Sequence, residues 1–196
     1  ETAREVYGLS GWVSHHNLDI WGHSGPVGYY GQDDNPCSYS MWPMSSGWLC
    51  RHLWEHYCYT LDTEFLRNRA YPIVENAVRF YLGYLMPYRS YLVTCPSTSP
   101  ENQFVASDGT CHSVSVASTM DISILKKLFE NYLKMCEILK IDVDGLTGKV
   151  RDALSKLPPF QIGEKGQLQE WFFDYPEAEE HGRKIRRRYE QLFTGE

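Results

Sequence analysis

Residues 45–85 read SSGWLCRHLWEHYCYTLDTEFLRNRAYPIVENAVRFYLGYL. Trp48, Leu49, His52, Leu53, His56 and Tyr57 recur there at helical spacing, which predicts a helix from about Gly47 to Leu61 with Ser45 or Ser46 as N-cap. Asp62 or Thr63 caps the next helix, which runs to about Leu85. It carries Leu66, Ala70, Ile73, Val74, Ala77, Val78, Tyr81 and Leu82 on one face, with a kink predicted at Pro72. Two long helices with so short a joint form an antiparallel hairpin. The fold class is therefore helical, and the flanking segments have to fit around that hairpin.

On its C-terminal side, Tyr91 to Phe104 read YLVTCPSTSPENQF. Strand-forming residues run into Cys95-Pro96, and a polar turn then carries Glu101 and Asn102. The two prolines bias Cys95 and Ser99 to extended geometry, so the turn is a stiff mount. Glu101 is either the solvated carboxylate of a surface turn or an acid held for chemistry. Val114 and Val116 suggest a second short strand, making residues 91–116 a hairpin-like excursion with Asp108-Gly109 in its turn. Ser118-Thr119 caps a third helix, about Met120 to Ile141, with Ile124, Leu125, Leu128, Phe129, Tyr132, Leu133, Cys136 and Leu139 as its stripe. A fourth, about Leu146 to Leu157, ends at Pro158-Pro159, and a connecting loop leads to a basic C-terminal helix. Residues 1–35 hold GWVSHHNLDIWG and a Gly- and Pro-rich stretch, which predicts an ordered loop and no helix. His15, His16, Asn17 and Asp19 are there either as internal polar struts or as contacts to a ligand. No 34-residue repeat and no βαβ alternation is present, which excludes a tetratricopeptide array and a doubly wound sheet.

The chain has 196 residues, and six Trp, 14 Tyr and 8 Phe are a heavy aromatic load for that length; aromatics outside a core commonly line concave binding sites, including sugar sites. A net charge of −6 opposes a general nucleic-acid or anionic-membrane role. The run Arg183 to Arg188 follows Glu177, Glu179 and Glu180 and reads as the solvated face of a terminal helix. No apolar run reaches membrane-spanning length. The six cysteines show neither CxxC pairs nor a framework spacing and read as free thiols, although Cys95 and Cys111 flank the central loop closely enough to approach one another. His52-Leu53-Trp54-Glu55-His56 matches HxxEH, which puts two histidines one helical turn apart, as in inverted zinc peptidases. The same helix uses Leu49, Leu53 and Tyr57 for its core and no third ligand follows, so both histidines read as structural, and neither a metal nor any other cofactor is assigned.

GWVSHHNLDIWG, WPMSSGWLCRHLWEHYCYT, YLVTCPSTSPENQF, ASTMD and LPPFQIGEKGQLQEW stand in the order and approximate spacing of the catalytic domain of glycoside hydrolase family 95, the α-L-fucosidases. The chain resembles that domain from Glu1 to about Asp174. The resemblance implies an all-α fold, a partial (α/α)6 barrel of helical hairpins with a small β-hairpin-like loop excursion, whose loops at one end form a sugar pocket. It also implies inverting hydrolysis of α-linked L-fucose from oligosaccharides or glycans, which needs one carboxyl on the leaving oxygen and a base activating water on the opposite face. By the resemblance Glu101 of SPEN is the acid, and His16, Asn17, Trp42, Trp48 and Asn102 are substrate-binding residues. A general acid must keep its proton near neutral pH, which partial desolvation of the carboxyl favours.

The family's asparagine-x-asparagine motif and its aspartate base have no counterpart here. The chain continues as EEHGRKIRRRYEQLF where the family has HRHxSHL, with only His181 and Arg183 in common. The expectation is one incomplete catalytic domain over 1–196, family-like over 1–174 and divergent over 175–196, lacking the base and inactive alone. Were a base to lie within the chain, Asp19 and Asp121 are the first candidates. Stripes such as Ile124, Leu128 and Tyr132 are expected to be partly uncovered, leaving surfaces for association. The alternatives are a sugar-binding or scaffold domain without turnover and the HxxEH zinc hydrolase.

Overall fold

The computed structural model describes residues 1–26, 40–100 and 102–178. A short helix, α1 (Thr2–Tyr7), opens the chain and ends at Gly8, whose φ is 65°. The sequence pattern predicts only loop here, because six residues are too few for a 3.6-residue period to register.

The hairpin that decides the fold is present, with its caps arranged differently. Helix α2 spans Ser45–Thr60 with Met44 as N-cap, so Ser45 and Ser46 lie inside the first turn and are buried. Capping comes from the facing helix. The Tyr81 hydroxyl accepts from the Gly47 N–H at 2.9 Å, donates to the Pro43 carbonyl at 3.0 Å and shares a 2.7 Å bond with Ser46 Oγ. These bonds satisfy groups that a helix start leaves orphaned.

After Leu61, the Asp62 carboxylate caps α3 (Thr63–Phe65) by accepting from the Phe65 N–H at 2.9 Å. A π-helical turn (Leu66–Ala70) and α4 (Tyr71–Tyr84) continue it. The irregularity predicted at Pro72 falls in the turn before it. That shift leaves Pro72 in the first turn of α4, where its missing N–H has no partner to supply. Ile73 departs from the predicted stripe and is exposed.

Helix α5 (Thr119–Leu139) is capped by Ser118, whose hydroxyl accepts from the Asp121 N–H, and α6 (Leu146–Lys156) follows. The helix directions follow from the contacts. A Cβ on Gly47 would stand 2.8 Å from Ile124 and 3.3 Å from Tyr81, so α2, α4 and α5 meet where only a glycine fits. At the other end of α4, Tyr71 stacks on Tyr132 at 5.9 Å. Helix α4 therefore runs against both α2 and α5, and these two run parallel with their N-termini at the same end. Ile124, Leu128 and Tyr132, the stripe expected to be uncovered, are 8%, 3% and 0% exposed, because α2 and α4 cover it.

Between α4 and α5 lie three two-stranded antiparallel pairs. Strand β1 (Met86–Tyr88) pairs with β2 (Tyr91–Val93), so the strand at Tyr91 finds its partner upstream. The predicted excursion is two nested ladders. Strand β3 (Ser97–Thr98) pairs with β6 (Val114–Ser115), and β4 (Phe104–Val105) with β5 (Cys111–His112), with Asp108-Gly109 at the tip. Residues 175–178, expected to begin a helix, are instead extended against β4, with a bridge from Phe104 to Glu177. The rest of the predicted basic helix lies outside the described residues. Cys50, Cys58, Cys95, Cys111 and Cys136 are free thiols, so Cys95 and Cys111 are not joined. No helix among the described residues is long and apolar enough to cross a membrane.

Tyr81→Phe should lower the unfolding free energy by about 2 kcal/mol or more, because it strands the buried Gly47 N–H and Pro43 carbonyl together. Urea unfolding of the two proteins, followed by circular dichroism, measures the difference.

Candidate functional site

The segments singled out in the sequence converge where α2 and α5 begin, and the group they share is the Asp121 carboxylate. It is 1% exposed. Its Oδ1 accepts from the Trp42 indole Nε1–H at 3.0 Å, and its Oδ2 accepts from Thr94 Oγ1 at 2.9 Å and Ser97 Oγ at 2.7 Å. One side chain thus ties the segment before α2, the residue after β2 and the start of β3 to the first turn of α5. Ser97 Oγ also accepts from the Ser118 N–H at 2.8 Å, and the Ala117 N–H donates to the Thr94 carbonyl at 2.9 Å. The position of Asp121 in the first helical turn suits a negative charge.

The polar turn follows directly. Glu101 lies outside the described residues. Its neighbour Asn102 is fully buried: its N–H donates to the Ser99 carbonyl at 2.5 Å and its Oδ1 accepts from the Gln103 N–H at 3.0 Å. The Asn102 Nδ2 is buried without a hydrogen-bond partner among the described residues, a donor that gains from any acceptor brought to it. The Ser99 hydroxyl donates to the Glu170 carboxylate, and the Glu170 carbonyl accepts from the Thr119 N–H at 2.9 Å. The LQEW segment therefore stitches the turn to the start of α5. Phe104 stacks on Tyr175 at 4.1 Å and meets Trp171 edge-on at 5.1 Å, closing the far side.

The HHN segment divides sharply. His15 is fully buried between the Ser24 carbonyl, 2.8 Å from Nδ1, and the Tyr7 hydroxyl, 2.5 Å from Nε2. Burial lowers its pKa, so it is a neutral strut. Asp19 is also a strut, its Oδ1 accepting from the Trp21 and His23 N–H groups at 2.9 Å each. His16 and Asn17 are exposed and joined by a 2.6 Å bond, and the His16 ring lies 6.1 Å from that of Trp42. The structure thus brings His16, Asn17, Trp42 and the segment around Asn102 to one end of the helices. It does not bring Trp48 there. Trp48 lines a cavity of about 530 Å³ between α2 and α5, with Trp54, Arg51, Lys126 and Phe160 among its walls.

The HxxEH residues show no joint purpose. His52 is exposed, Glu55 pairs with Arg51 at 2.6 Å, and the His56 ring packs 4.2 Å from Phe65. Among the described residues no group of three or more His, Cys, Asp or Glu side chains is placed to hold a metal ion. Thr94, Ser97 and Glu170 are the site residues that sequence reasoning missed, since hydroxyls and a loop glutamate leave no periodic signal.

Burial raises the Asp121 pKa to about 6, although its four partners, Ser97, Thr94, Trp42 and Ser118, pull the other way. Loss of water around the carboxylate outweighs them. At neutral pH the group is ionised. Tyr81 and Tyr84, on the facing side of α4, are pushed well above the ordinary tyrosine range by burial and stay protonated.

Residues 1–191 match the profile described as glycosyl hydrolase family 95 catalytic domain. The chain is similar to alpha-L-fucosidase 2 of Arabidopsis thaliana, with 43% identity over 186 residues that cover 94% of this chain and 21% of that protein. It is also similar to probable alpha-fucosidase A of Aspergillus niger, with 28% identity over 180 residues, 89% of this chain and 21% of that protein. The chain spans about a fifth of the length of these curated relatives.

The electrostatics of Asp121 predict an inverted pH dependence. A carboxyl with a raised folded pKa binds its proton more tightly in the native state, so its contribution to stability falls as pH rises from 3.8 to about 6. The difference in unfolding free energy between the wild type and Asp121→Asn should move against the wild type by about 3 kcal/mol across that window, the roughly 2-unit shift converted at 1.36 kcal/mol per unit. Urea unfolding of both proteins at pH 4 and pH 7 gives that difference.

Proposed function

The chain belongs to the glycosyl hydrolase family 95 catalytic-domain family, and from that premise we propose that it carries the acid half of an α-L-fucosidase site. The single observation that carries this reading is the convergence at one end of α2 and α5. There the Trp42 indole, the exposed His16-Asn17 pair and the turn around Asn102 are bound into one assembly through Asp121. In this reading Glu101 of that turn protonates the leaving oxygen of an α-linked L-fucoside. Trp42 offers an apolar wall to the sugar's methyl group and ring face, and Asn102 Nδ2 donates to a sugar oxygen. His16 and Asn17 reach hydroxyls from the opposite loop, while Trp48 contributes through the groove between α2 and α5. The two hairpins, α2 with α3–α4 and α5 with α6, are then consecutive units of an (α/α)6 barrel, and the antiparallel run of α4 against both α2 and α5 supports this.

Inversion also needs a base about 6.5–9.5 Å from the acid with water between them. Both in-chain candidates are committed elsewhere. Asp19 holds a turn through two backbone N–H groups, and both oxygens of Asp121 are occupied in a water-excluded core. In this reading the base lies outside residues 1–196, which form one incomplete catalytic domain that does not turn over by itself.

Two measurements test the reading. Residues 1–196 alone should release no fucose from an α-1,2-linked fucosyllactose. In the enzyme at the full length of its relatives, Glu101→Gln should lower turnover of that substrate by a factor of about 10² or more while leaving binding nearly intact. Turnover by residues 1–196 would place a base within the chain, and full activity of the Glu101→Gln enzyme would remove the acid assignment.

A further inference from the structure

Within the site, Asp121 is the buried ionisable group that the proposed reaction does not use. A buried carboxylate that only filled space would be replaced at little cost by an apolar residue of similar volume, since desolvating a charge is unfavourable. Here each oxygen is spent on a group from a different part of the chain. Oδ1 takes the Trp42 indole, 79 residues away in sequence, and Oδ2 takes Thr94 and Ser97, on either side of Cys95-Pro96. The indole has one N–H and a single ordered acceptor for it, so ring and carboxylate fix one another. Ser97 then passes the constraint to the Ser118 N–H.

We propose that Asp121 is a positioning residue. It clamps the Trp42 wall to the strand that leads into the polar turn, so that sugar ring and acid meet at a fixed spacing. This rests on the fucosidase reading for its functional half, whereas the clamp itself stands on geometry. Asp121 touches no substrate, because its oxygens are enclosed and already bonded.

The ionisable groups around the carboxylate are Tyr81 and Tyr84 on α4, Cys95 between the Thr94 and Ser97 donors, and Glu170, whose carbonyl is bonded to Thr119 beside it, while Cys50 on α2 lies next to Tyr81. His16 lies against the indole. Burial pushes the tyrosines and the Cys50 thiol upward, so these do not titrate between pH 4.5 and 7.5.

The clamp is tested by the indole N–H resonance of Trp42 in ¹⁵N-labelled residues 1–196, assigned with Trp42→Phe and followed from pH 4.5 to 7.5. It should titrate with a midpoint near 6, keep that titration in His16→Gln and lose it in Asp121→Asn. A flat Trp42 resonance in the wild type, or one unchanged by Asp121→Asn, overturns the clamp. Where Asp121→Asn does not fold, Thr94→Val and Ser97→Ala each remove one donor, and the midpoint must move upward. A midpoint that stays in place overturns the clamp equally.

The functional half is read in the full-length enzyme. Asp121→Asn should lower kcat at least 10-fold, whereas Trp42→Phe should act mainly on KM. Folded Asp121→Asn enzyme with unchanged kcat and KM overturns the positioning role. Titration at Trp42 in residues 1–196 together with a full-length wild type that cleaves no fucoside supports the clamp and overturns the fucosidase reading, which separates the two failures.

Discussion

The contact on which the rest of this structure depends is the three-helix junction at Gly47. Because position 47 has no side chain, α2 approaches Ile124 of α5 and Tyr81 of α4 within distances that a Cβ would violate. Close approach lets one tyrosine hydroxyl serve the start of α2, which has no side-chain cap of its own. It also fixes α4 antiparallel to both neighbours, so that α2 and α5 begin at the same end. A site built from two helix N-termini and the loops before them follows from that geometry. Backbone N–H groups and positive helix ends collect there, in a place that tolerates an ionised carboxylate.

Asp121 occupies that place at a cost in stability. Four hydrogen-bonding partners do not compensate for the water it loses, which is why its pKa rises although every partner acts to lower it. A core chosen for stability alone would place an apolar residue here. A carboxylate can instead address several donors at once, and only an acceptor with two oxygens reaches Trp42 on one side and Thr94 with Ser97 on the other. Stability lost at a site in exchange for definite geometry is a pattern of functional regions.

The helices were legible in the sequence because their apolar stripes are long and regular. The boundaries of α2, α5 and α6 fall within two residues of the pattern, and the Asp62 and Ser118 caps follow their residue types. The Asp108-Gly109 turn was legible for the same kind of local reason. What failed was whatever depends on a partner distant in the chain. Ser45 and Ser46 resemble caps, yet the cap arrives from Tyr81, 35 residues beyond Ser46. The Ile124, Leu128 and Tyr132 stripe gave no sign that α2 and α4 would cover it. His15 and His16 are adjacent and chemically identical, and only the fold makes one a buried strut and the other an exposed ring beside Trp42. Thr94, Ser97 and Glu170 belong to the site through tertiary bonds to which no spacing rule points.

The two tryptophans that the sequence treats alike also part at this level, and the difference bears on affinity. Trp48 stands on α2 at the edge of an open groove, half-buried against the core. Trp42 is 6% exposed, its N–H is bonded to Asp121 and its ring lies against His16. It has given up its rotamer freedom on folding. A ring frozen before a ligand arrives contributes its apolar contact without a further ordering cost, and such preorganisation is where affinity is gained when contact area is small. A monosaccharide offers little area. In the proposed fucosidase reading, a small sugar therefore gains from a Trp42 ring that is already fixed, and what fixes it is the carboxylate behind it.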